Sequence, residues 1–457
     1  MTGQLDHQLP SSATRRLTGW GRTSPSVATW VQASTAADVR LAVRAAKSRG
    51  VLARGLGRSY GDAAQNAGGV VVDLTGLNRI LALDADVPSV VVEAGVSLDA
   101  LLRSVLPFRL WVPVLPGTRH VTIGGAIAAD VHGKNHHRSG SFGHHVLALW
   151  LVTADGHEHR LTPADPLFWA TVGGMGLTGI ITRAHLSLTR TETSYVTAST
   201  ERAPDLATMM RLLHEGDDAF PYTVAWFDSM SPRLQVGRGL VQRGRPSTLD
   251  ELAPHQRRRA LALPDDRVVR VPDVIPRSVV NRASGRVFSE LWFHKSPRQR
   301  SDTVQTASAF FHPLDGLADW NRLYGPRGFC QYQFVVPFAA AAALRECVDL
   351  IVASGHVSCV NVLKRLGAAN DGLLSFPQPG WTMAADFPVR EGLDELLDAL
   401  DAIVLAAGGR LYLAKDGRMT PRTLEASYPR LDEFRRIRQD VDPQGIFTSD
   451  LARRLML

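Results

Sequence analysis

The sequence predicts an α+β protein built from more than one unit, and two observations lead to this class. The chain has 457 residues, which is too long for one ordinary hydrophobic core, so two domains or one large discontinuous pair are expected. From about residue 194 to about 410, strand-like runs such as CQYQFVV (330–336) alternate with helical runs such as GLDELLDALDAIVLAAG (392–408). That alternation is typical of an α+β sheet domain.

The first part of the chain is predicted to alternate short strands and helices. Residues 34–49 have an apolar helical face, and Thr35 and Asp38 have the spacing of a capping box. The further predicted elements are strands at 51–55 and 89–95, a helix at 96–107 and a hairpin over 146–162 that turns at Asp155-Gly156. Two longer segments lack periodicity: the Gly-rich residues 110–143, whose length indicates a function, and the basic residues 255–282, which we interpret as a mobile surface loop.

The composition is that of a basic globular protein. The net charge is +7, and five of the 51 basic residues are lysines: Lys47, Lys134, Lys295, Lys364 and Lys415. A lysine inside a motif is therefore notable. The positive charge suits a nucleic acid, an anionic membrane surface or a phosphorylated substrate. Because the basic residues are spread along the chain and no nucleic-acid-binding motif is recognised, we expect no nucleic-acid partner.

The sequence contains few targeting, redox or metal signals. No apolar run reaches the roughly 18 residues of a membrane span, and residues 1–16 contain no apolar signal-peptide segment. The three cysteines lack pairing spacing, which predicts neither a disulfide framework nor a zinc site. Five histidines lie within residues 132–145 without a carboxylate beside them, so we expect no metal there.

The stretch RGLGRSYGD (54–62) suggests a dinucleotide fingerprint, because two glycines one residue apart follow a predicted strand. That fingerprint requires its glycines to lead into a helix. Here turn residues and a second strand, GGVVVDL (68–74), follow instead, although Asp73 imitates the expected acidic residue. The backbone N–H groups of Gly55 through Gly61 can still surround an anion. We therefore predict a phosphate-binding loop that is not of the Rossmann type.

Ordered motifs along the chain carry a resemblance to a known family. The chain resembles the vanillyl-alcohol-oxidase/PCMH flavoproteins in the signatures of their FAD domain: RGLGRSYG (54–61), PGTRHVTIGGAIAADVHG (116–133), LFWATVGGMGLTGIIT (167–182) and DPQGIFTSDLARRL (442–455). Within that superfamily it resembles the polyprenyl-phosphoribose oxidases more closely, through LTGWGRT (17–23), HGKNHH (132–137), FHPLDG (311–316), WNRLYGP (320–326), QYQFVVP (331–337) and YLAKDGR (412–418).

The resemblance implies a two-domain PCMH-type FAD-binding fold. A discontinuous FAD domain (1–193, completed by 410–457) would face an antiparallel-sheet substrate domain (194–409). Many covalent members of the superfamily place a histidine directly after the second glycine of the loop and tether the flavin through it. This chain has Arg58 at that position. We therefore expect FAD to be bound non-covalently.

The matching motifs also imply the residues that contact the cofactor. The expected cofactor-binding residues are Ala53, Arg54, Gly55, Leu56, Gly57, Arg58, Ser59, Tyr60, Gly61, Asp62, Gly117, Thr118, Thr122, Ile123, Gly124, Gly125, His132, Ile181 and Tyr412.

Three residues are expected to be catalytic. Lys415 matches a lysine of the flavin and substrate pocket, where a fixed ammonium stabilises the negative charge that develops as an alcohol is oxidised. His132 ends the segment that passes along the flavin in the resembled family, and Tyr60 lies in the phosphate loop. The alternatives are a surface lysine before a turn, a structural histidine and an ordinary loop aromatic.

Strand alternation predicts a polar face for the substrate. Gln331 and Gln333 share one face of their predicted strand, and Lys364 shares a face with Val362 on the next. On a third predicted strand, the side chains of Thr382, Ala384 and Asp386 share one face. The expected substrate-binding residues are Lys134, Gln333, Lys364 and Asp386. The alternative is an exposed polar face of that sheet. One position departs from the resembled oxidases, because Ala384 stands where their well-known members have a cysteine beside the flavin.

The resemblance implies FAD-dependent oxidation of the 2′-hydroxyl of a polyprenyl(decaprenyl)-phosphoryl-β-D-ribofuranose to the 2′-keto sugar. A separate NAD(P)H-dependent reductase would complete epimerisation to the arabinose donor for cell-wall arabinan, because this chain has no NAD fingerprint. The lipid substrate implies docking at a membrane surface. We expect a protein without signal peptide that is cytoplasmic, peripheral at the plasma membrane, or periplasmic by a non-classical route. The alternatives are a sugar-lactone or alditol oxidase of the same superfamily that uses O₂ and, in another class, a basic nucleic-acid-binding protein.

Overall fold

The computed structural model describes residues 12–230, 236–264, 268–296 and 298–457. The first eleven residues, on which the signal-peptide prediction partly depends, lie outside these ranges, and so do residues 265–267 of the predicted surface loop. None of the helices in the described part combines the length and apolar character needed to span a bilayer.

The first unit is made of short strands and short helices. Its strands are β1 (Ser12–Leu17), β2 (Ser26–Gln32), β3 (Val51–Arg54), β4 (Val70–Asp73), β5 (Ile80–Asp84), β6 (Ser89–Glu93), β7 (Leu110–Trp111), β8 (Val146–Val152), β9 (Glu158–Leu161), β10 (Ile180–Ser187) and β11 (Thr189–Arg190). Its helices are α1 (Ala36–Arg44), α2 (Leu98–Val105), α3 (Ile123–Ala128), α4 (His136–Ser139) and α5 (Pro166–Thr171).

Three sheets organise the described residues of this unit. One is four-stranded in the order β1-β2-β4-β3, and another is five-stranded in the order β5-β6-β10-β8-β9. The third is the antiparallel pair β7-β11. The predicted capping box is confirmed, since Thr35 and Asp38 exchange hydrogen bonds at the start of α1. The predicted hairpin is also confirmed, because β8 and β9 pair antiparallel and Gly156 adopts a φ of 75° between them. Apolar residues of the two larger sheets and of α1 to α3 pack into a common core.

The second unit contains the longer strands. These are β12 (Tyr195–Ala203), β13 (Tyr222–Phe227), β14 (Gly239–Pro246), β15 (Val269–Arg270), β16 (Gln299–Thr306), β17 (Leu317–Ala318), β18 (Phe329–Val336), β19 (Asn361–Leu366), β20 (Gly380–Pro388) and β21 (Arg410–Leu411). The helices that follow α5 are α6 (Leu206–Gly216), α7 (Pro254–Arg257), α8 (Arg282–Lys295), α9 (Ala307–Phe311), α10 (Ala341–Ser354), α11 (Leu393–Ala406), α12 (Pro421–Ser427), α13 (Leu431–Val441) and α14 (Asp450–Leu455).

In the described part, most of these strands form one eight-stranded sheet in the order β16-β12-β14-β13-β19-β20-β18-β21. One face of its central strands is fully buried through Leu363, Met383 and Ala385, which belong to the same core as residues of α6, α10 and α11. The alternate residues Val362 and Ala384 are only half-buried. The central strands therefore have one face in the core and one face open to a cleft, as strand alternation requires.

The C-terminal helices lie against the first unit as well as the second. The N–H of Val51 in β3 donates to the carbonyl of Ile446 at 2.7 Å, and Phe447 pairs with Val51 in a parallel bridge. The chain end thus lies beside the strand that leads into the predicted phosphate loop.

Three predicted segments differ from the structure. Helix α1 ends at Arg44 instead of residue 49, with Ala45 as its C-cap. The Gly-rich segment 110–143, in which no periodicity is evident, contains β7, α3 and α4. The interpretation of 255–282 as a surface loop is wrong in part, because β15 pairs parallel to β17 through backbone hydrogen bonds that side-chain periodicity does not report.

Candidate active site

The predicted phosphate loop joins β3 to β4, and neighbouring atoms approach it closely. A Cβ at Gly55 would lie 2.1 Å from Thr122 Oγ1, and one at Gly61 would lie 1.8 Å from the carbonyl oxygen of Asp416. Gly57 has a φ of 65°. Gly55 and Gly61 are therefore required because neighbouring atoms leave no space for a side chain. Gly57 is required because its backbone is left-handed. The prediction of strand, loop and strand in place of a Rossmann turn is confirmed, because β4 follows without an intervening helix.

A second glycine segment, residues 116–125, adjoins the loop through Thr122. The Thr122 hydroxyl caps α3 by accepting from the Gly125 N–H, and Gly124 packs against Ala94. Gly117 and Gly125 are exposed, and a Cβ at Gly117 would meet no atom within 4 Å. Glycines that border open space beside a second glycine loop leave room for the backbone to approach a bound phosphate.

Three predicted cofactor residues use their side chains to hold this cradle together. The guanidinium of Arg54 donates to two backbone carbonyls at 2.7 and 2.8 Å. The guanidinium of Arg58 stacks 4.0 Å from the centre of the Trp20 ring. Asp62 forms an ion pair with Arg454 at 2.7 Å. The remaining predicted residues of the cradle lie on the same two segments or at the end of β3: Ala53, Leu56, Ser59, Thr118 and Ile123.

Tyr60 and Lys415 lie together where the loop meets the C-terminal segment. The Tyr60 N–H donates to the carbonyl of Ala414 at 2.9 Å, and the Lys415 ammonium lies 3.8 Å from the centre of the Tyr60 ring. Burial lowers the pKa of Lys415, while the nearby Asp386 carboxylate acts in the opposite direction. The lysine is therefore held in the site and is not a free surface group before a turn.

Arg454 joins the two segments that carry Tyr60 and Lys415. Its guanidinium binds both oxygens of Asp62 at 2.7 and 2.9 Å and reaches Asp416 at 2.9 Å. Asp62 follows the phosphate loop and Asp416 follows Lys415, so one side chain of α14 fixes both. No local pattern indicates a role for Arg454, although it lies in the matching motif DPQGIFTSDLARRL (442–455).

The register of β18, β19 and β20 collects polar side chains on one face of the sheet. Gln331 pairs with Asp386, Gln333 pairs with Ala384, and Lys364 pairs with Thr382. Residues directly opposite in an antiparallel pair lie on the same side of the sheet. Gln331, Gln333, Thr382 and Asp386 are buried, so the alternative of an exposed polar face is wrong.

His132 packs between this face and the first unit. Its Nε2 accepts from the Gln333 amide at 3.0 Å, and its Nδ1 is buried without a hydrogen-bond partner among the described residues. Tyr412 and Phe376 pack against the ring, and the Tyr412 hydroxyl donates to the Ala129 carbonyl at 2.7 Å. Burial and then the charge of Lys364 lower the pKa of His132 well below its usual value. The imidazole is therefore neutral, with a polar atom available to a bound molecule.

A hydrogen-bonded chain links the sheet to the phosphate loop. The Gln331 amide donates to Asp386 and lies 3.2 Å from the Tyr60 hydroxyl. The second oxygen of Asp386 is buried and unpartnered within the described residues. Burial raises the pKa of Asp386, while the Gln331 hydrogen bond and the charge of Lys415 act in the opposite direction. The hydrogen-bonded chain therefore holds the carboxyl group of Asp386 beside Lys415, and burial shifts this carboxyl group towards its protonated form.

Two further lysines place positive charge near this face. Burial lowers the pKa of Lys364 to about 8. Burial and the charge of Lys364 lower the pKa of Lys134 to about 7. The Lys134 amine donates to the carbonyl of Phe310 and lies 4.3 Å from the centre of its ring. Lys134 thus lies close to Lys364, and Lys364 lies close to Lys415, which faces the buried carboxyl group of Asp386.

The other predicted positions are structural in their contacts. Ile181 is buried in β10. The remaining histidines of the 132–145 cluster bind backbone groups: His136 accepts from Gly367, His137 contacts the Phe220 carbonyl, His144 accepts from Ser141 and His145 contacts the Ser139 carbonyl. These contacts hold the segment that carries His132 and Lys134.

Comparison with known proteins assigns this cleft to a class. Residues 27–162 match the family described as "FAD binding domain", and residues 330–455 match the family described as "D-arabinono-1,4-lactone oxidase". The open space at Gly117, the exposed backbone at Gly125 and the unpartnered Nδ1 of His132 fit such a cofactor. The cleft is therefore that of an FAD-dependent oxidoreductase with a two-domain PCMH-type fold.

Whole-chain similarity narrows the class to one family. The chain is 49% identical to decaprenylphosphoryl-beta-D-ribose oxidase of Mycolicibacterium smegmatis, with 98% of each chain covered. It belongs to the decaprenylphosphoryl-β-D-ribose oxidase family. L-gulono-1,4-lactone dehydrogenase of Mycobacterium tuberculosis is 26% identical over 92% of this chain and 93% of its own. Alditol oxidase of a Streptomyces species is 25% identical over 96% and 99%. The lactone and alditol oxidases are distant relatives by comparison.

Proposed function

We propose that the protein oxidises the 2′-hydroxyl of a polyprenyl-phosphoryl-β-D-ribofuranose to the 2′-keto sugar, with FAD held non-covalently. One observation carries the choice of substrate: Lys364 lies on the sheet face whose one carboxyl group, among the described residues, is that of Asp386, and Lys134 lies close to Lys364. A phosphate that is removed from water requires such counter-charges. Lactones and alditols have no negatively charged group that would pair with these lysines.

The two glycine segments would hold FAD, which supplies the acceptor for the hydride that leaves the sugar. Lys364 would bind the substrate phosphate, and the Gln333 amide would orient the ribose against neutral His132. Lys415 would stabilise negative charge by its ammonium. Asp386 would take the proton of the 2′-hydroxyl at its unpartnered oxygen, since a general base works best with a pKa near the working pH. These assignments are supported by the shared cleft of β18, β19 and β20.

The non-covalent state is supported by the surroundings of Arg58. Its guanidinium is stacked on Trp20 and donates to the His120 carbonyl at 3.2 Å, and arginine cannot form the tether that a histidine forms there. We expect acid denaturation to release all yellow chromophore into the supernatant. Flavin that stays with the precipitated chain would refute this and would make His132 the suspected attachment point.

Two partners follow from the proposed reaction. The keto product requires a reductase to complete epimerisation, and we propose a separate NAD(P)H-dependent enzyme for that step. The prenyl chain of the substrate is held in a lipid phase, so we propose that the protein works at a membrane surface.

Anaerobic incubation tests the substrate assignment. Purified holoenzyme would be mixed with polyprenyl-phosphoryl-ribose in detergent, with an aldonolactone or with an alditol, while the flavin absorbance near ~450 nm is followed. Of the three compounds, we expect the phosphoryl-ribose alone to bleach the flavin. Mass spectrometry should then detect a keto product that is two mass units lighter than the substrate. Bleaching by the lactone or the alditol, with none by the phosphoryl-ribose, would favour the alternative oxidase.

A further inference from the structure

Helix α8 exposes an apolar stripe on its outer side. Val287 and Leu291 are 59% and 66% exposed, and Phe288 and Trp292 are 40% and 42% exposed. Val287 lies four residues before Leu291, and Phe288 lies four residues before Trp292. All of these side chains therefore lie on one side of the helix. Gly285 and Ser289 are its buried contacts with the protein. Contiguous exposed apolar surface of this kind marks an interaction site.

Positive charge lies on the opposite face of α8. Arg282 and Arg286 are exposed and lie one turn apart on that face, and Arg277 is exposed shortly before the helix. The acidic Glu290 next to them is engaged by Arg238 and by His294. A helix with aromatic and aliphatic residues on one face and arginines on the other has the pattern of an interfacial membrane helix.

The stripe is continuous with the active-site cleft. One row of paired residues crosses the sheet from Gln333 through Ala384 and Val362 to Trp226. The Trp226 ring contacts Phe288 and Trp292, with centroids 6.2 and 6.3 Å away. Val362, Ala384 and Trp226 are half-buried and apolar. A row of apolar side chains therefore leads from the polar sugar site to Phe288 and Trp292 of α8.

We propose that α8 docks the enzyme on an anionic lipid bilayer. The stripe inserts between lipid headgroups, and the arginines bind the negatively charged surface. The row from Ala384 to Trp226 then opens towards the membrane, so that a prenyl chain reaches the site without crossing water. This inference rests on the proposed lipid substrate for its purpose, but the docking itself depends on α8 alone.

Vesicle flotation of the holoenzyme tests the docking. The probes are phosphatidylcholine vesicles with and without phosphatidylglycerol. The double variant Val287→Ser with Leu291→Ser removes the apolar contribution, and Arg282→Gln with Arg286→Gln removes the charge. Val87→Ser is the matched control, because Val87 is 69% exposed in the first unit, on the loop between β5 and β6.

We expect wild-type protein and the Val87 control to bind anionic vesicles equally. The serine variant should bind them at least about tenfold more weakly, because two aliphatic side chains lose their transfer into lipid. The glutamine variant should lose most of its preference for anionic over neutral vesicles. Equal vesicle binding by the serine variant and wild type would overturn the proposal. The proposal would also be overturned if the wild-type protein bound none of the vesicles. The same holds if it formed a dimer that the serine substitutions convert to monomers.

A second readout separates this proposal from the proposed function. In detergent, where no bilayer is present, the serine variant should bleach its flavin with polyprenyl-phosphoryl-ribose as fast as wild type. If neither protein bleaches, the proposed substrate is wrong, while the vesicle result still decides the role of α8. If the serine variant alone fails, α8 belongs to the catalytic site and the docking proposal is refuted.

Discussion

The two sides of the cleft are built in different ways. On the first unit, Gly55, Gly57, Gly61 and Gly117 form a cradle from backbone, and the charged side chains around it bind one another or the chain. On the eight-stranded sheet, the opposite side is made of side chains that come from three strands and are aligned by register. A cofactor that is the same in every turnover can be held by backbone shape. A sugar phosphate requires selected charges and amides.

This difference determines which binding step each substitution should affect. Substitutions on the cradle should affect cofactor binding, and substitutions on the sheet should affect substrate binding. Lys415 lies where the two sides meet, since it contacts Tyr60 of the loop and is influenced by Asp386 of the sheet. It should therefore affect the reaction rather than either binding step.

Replacement of Lys415 should give the largest effect. We expect Lys415→Ala to fold and bind FAD, yet to bleach the flavin with substrate at least ~100-fold more slowly, because one charge-stabilising donor is lost. Lys415→Arg should not restore the rate fully, since a planar guanidinium does not replace a compact ammonium. Stopped-flow absorbance would measure this, with the exposed Lys47→Ala as the control. Near-normal bleaching in Lys415→Ala would remove the residue from the mechanism.

Replacement of Arg454 should weaken the link between loop and lysine. Arg454→Ala leaves Asp62 and Asp416 as neighbouring carboxylates without their guanidinium, which should lower the free energy of unfolding by about 1–3 kcal/mol. Denaturant unfolding would measure that loss. Substrate KM should change less than kcat, because the sheet is untouched. An unchanged unfolding free energy and kcat would show that Arg454 positions nothing.

The charge of Lys364 should give substrate binding an alkaline limit. Its pKa is lowered to about 8, so the ammonium is present below about pH 8 and is lost above it. We expect the substrate Kd to rise roughly tenfold between pH 7 and 9, for the loss of one counter-charge. Lys364→Arg should flatten that rise, because a guanidinium stays charged. Parallel pH profiles of the two proteins would exclude Lys364 as the phosphate ligand.

The change Ala384→Cys should have the smallest effect on turnover. Ala384 is half-buried and lies opposite Gln333, so its side chain is directed into the cleft. Rates should stay within about twofold. The variant should gain a stable adduct with nitroaromatic inhibitors that flavin reduction activates, whereas the unmodified protein should bind them reversibly. Intact-mass spectrometry decides this: an adduct on the unmodified protein, or none on the cysteine variant, contradicts the assignment.

The cradle could be predicted from sequence, because tight backbone geometry requires glycine at specified positions and leaves a continuous motif. The sheet could be predicted only in part. Alternation placed Gln333 and Lys364 on faces of their own strands, but it could not show that the strands pair with Lys364 opposite Thr382 and Gln333 opposite Ala384. Such register depends on long-range pairing.

Arg454 and the α8 stripe could not be predicted for similar reasons. The contact of Arg454 with Asp62 joins the C-terminal helix to a loop near the start of the chain, and no local pattern reports it. The sequence predicts a basic surface loop for the segment before α8, because proline and arginine interrupt its periodicity. The exposed side of the helix becomes evident only once its buried contacts at Gly285 and Ser289 are known.

The most direct test of the division between cradle and sheet compares two variants by two affinities. A side chain at Gly117 meets no atom of the protein, so Gly117→Val should leave the apo-protein's thermal unfolding unchanged and weaken FAD binding at least about tenfold, by overlap with the cofactor. Lys364→Ala should bind FAD as wild type does and weaken substrate binding by a similar factor. Normal FAD affinity in Gly117→Val, or lost FAD affinity in Lys364→Ala, would contradict the division between a cofactor cradle and a substrate sheet.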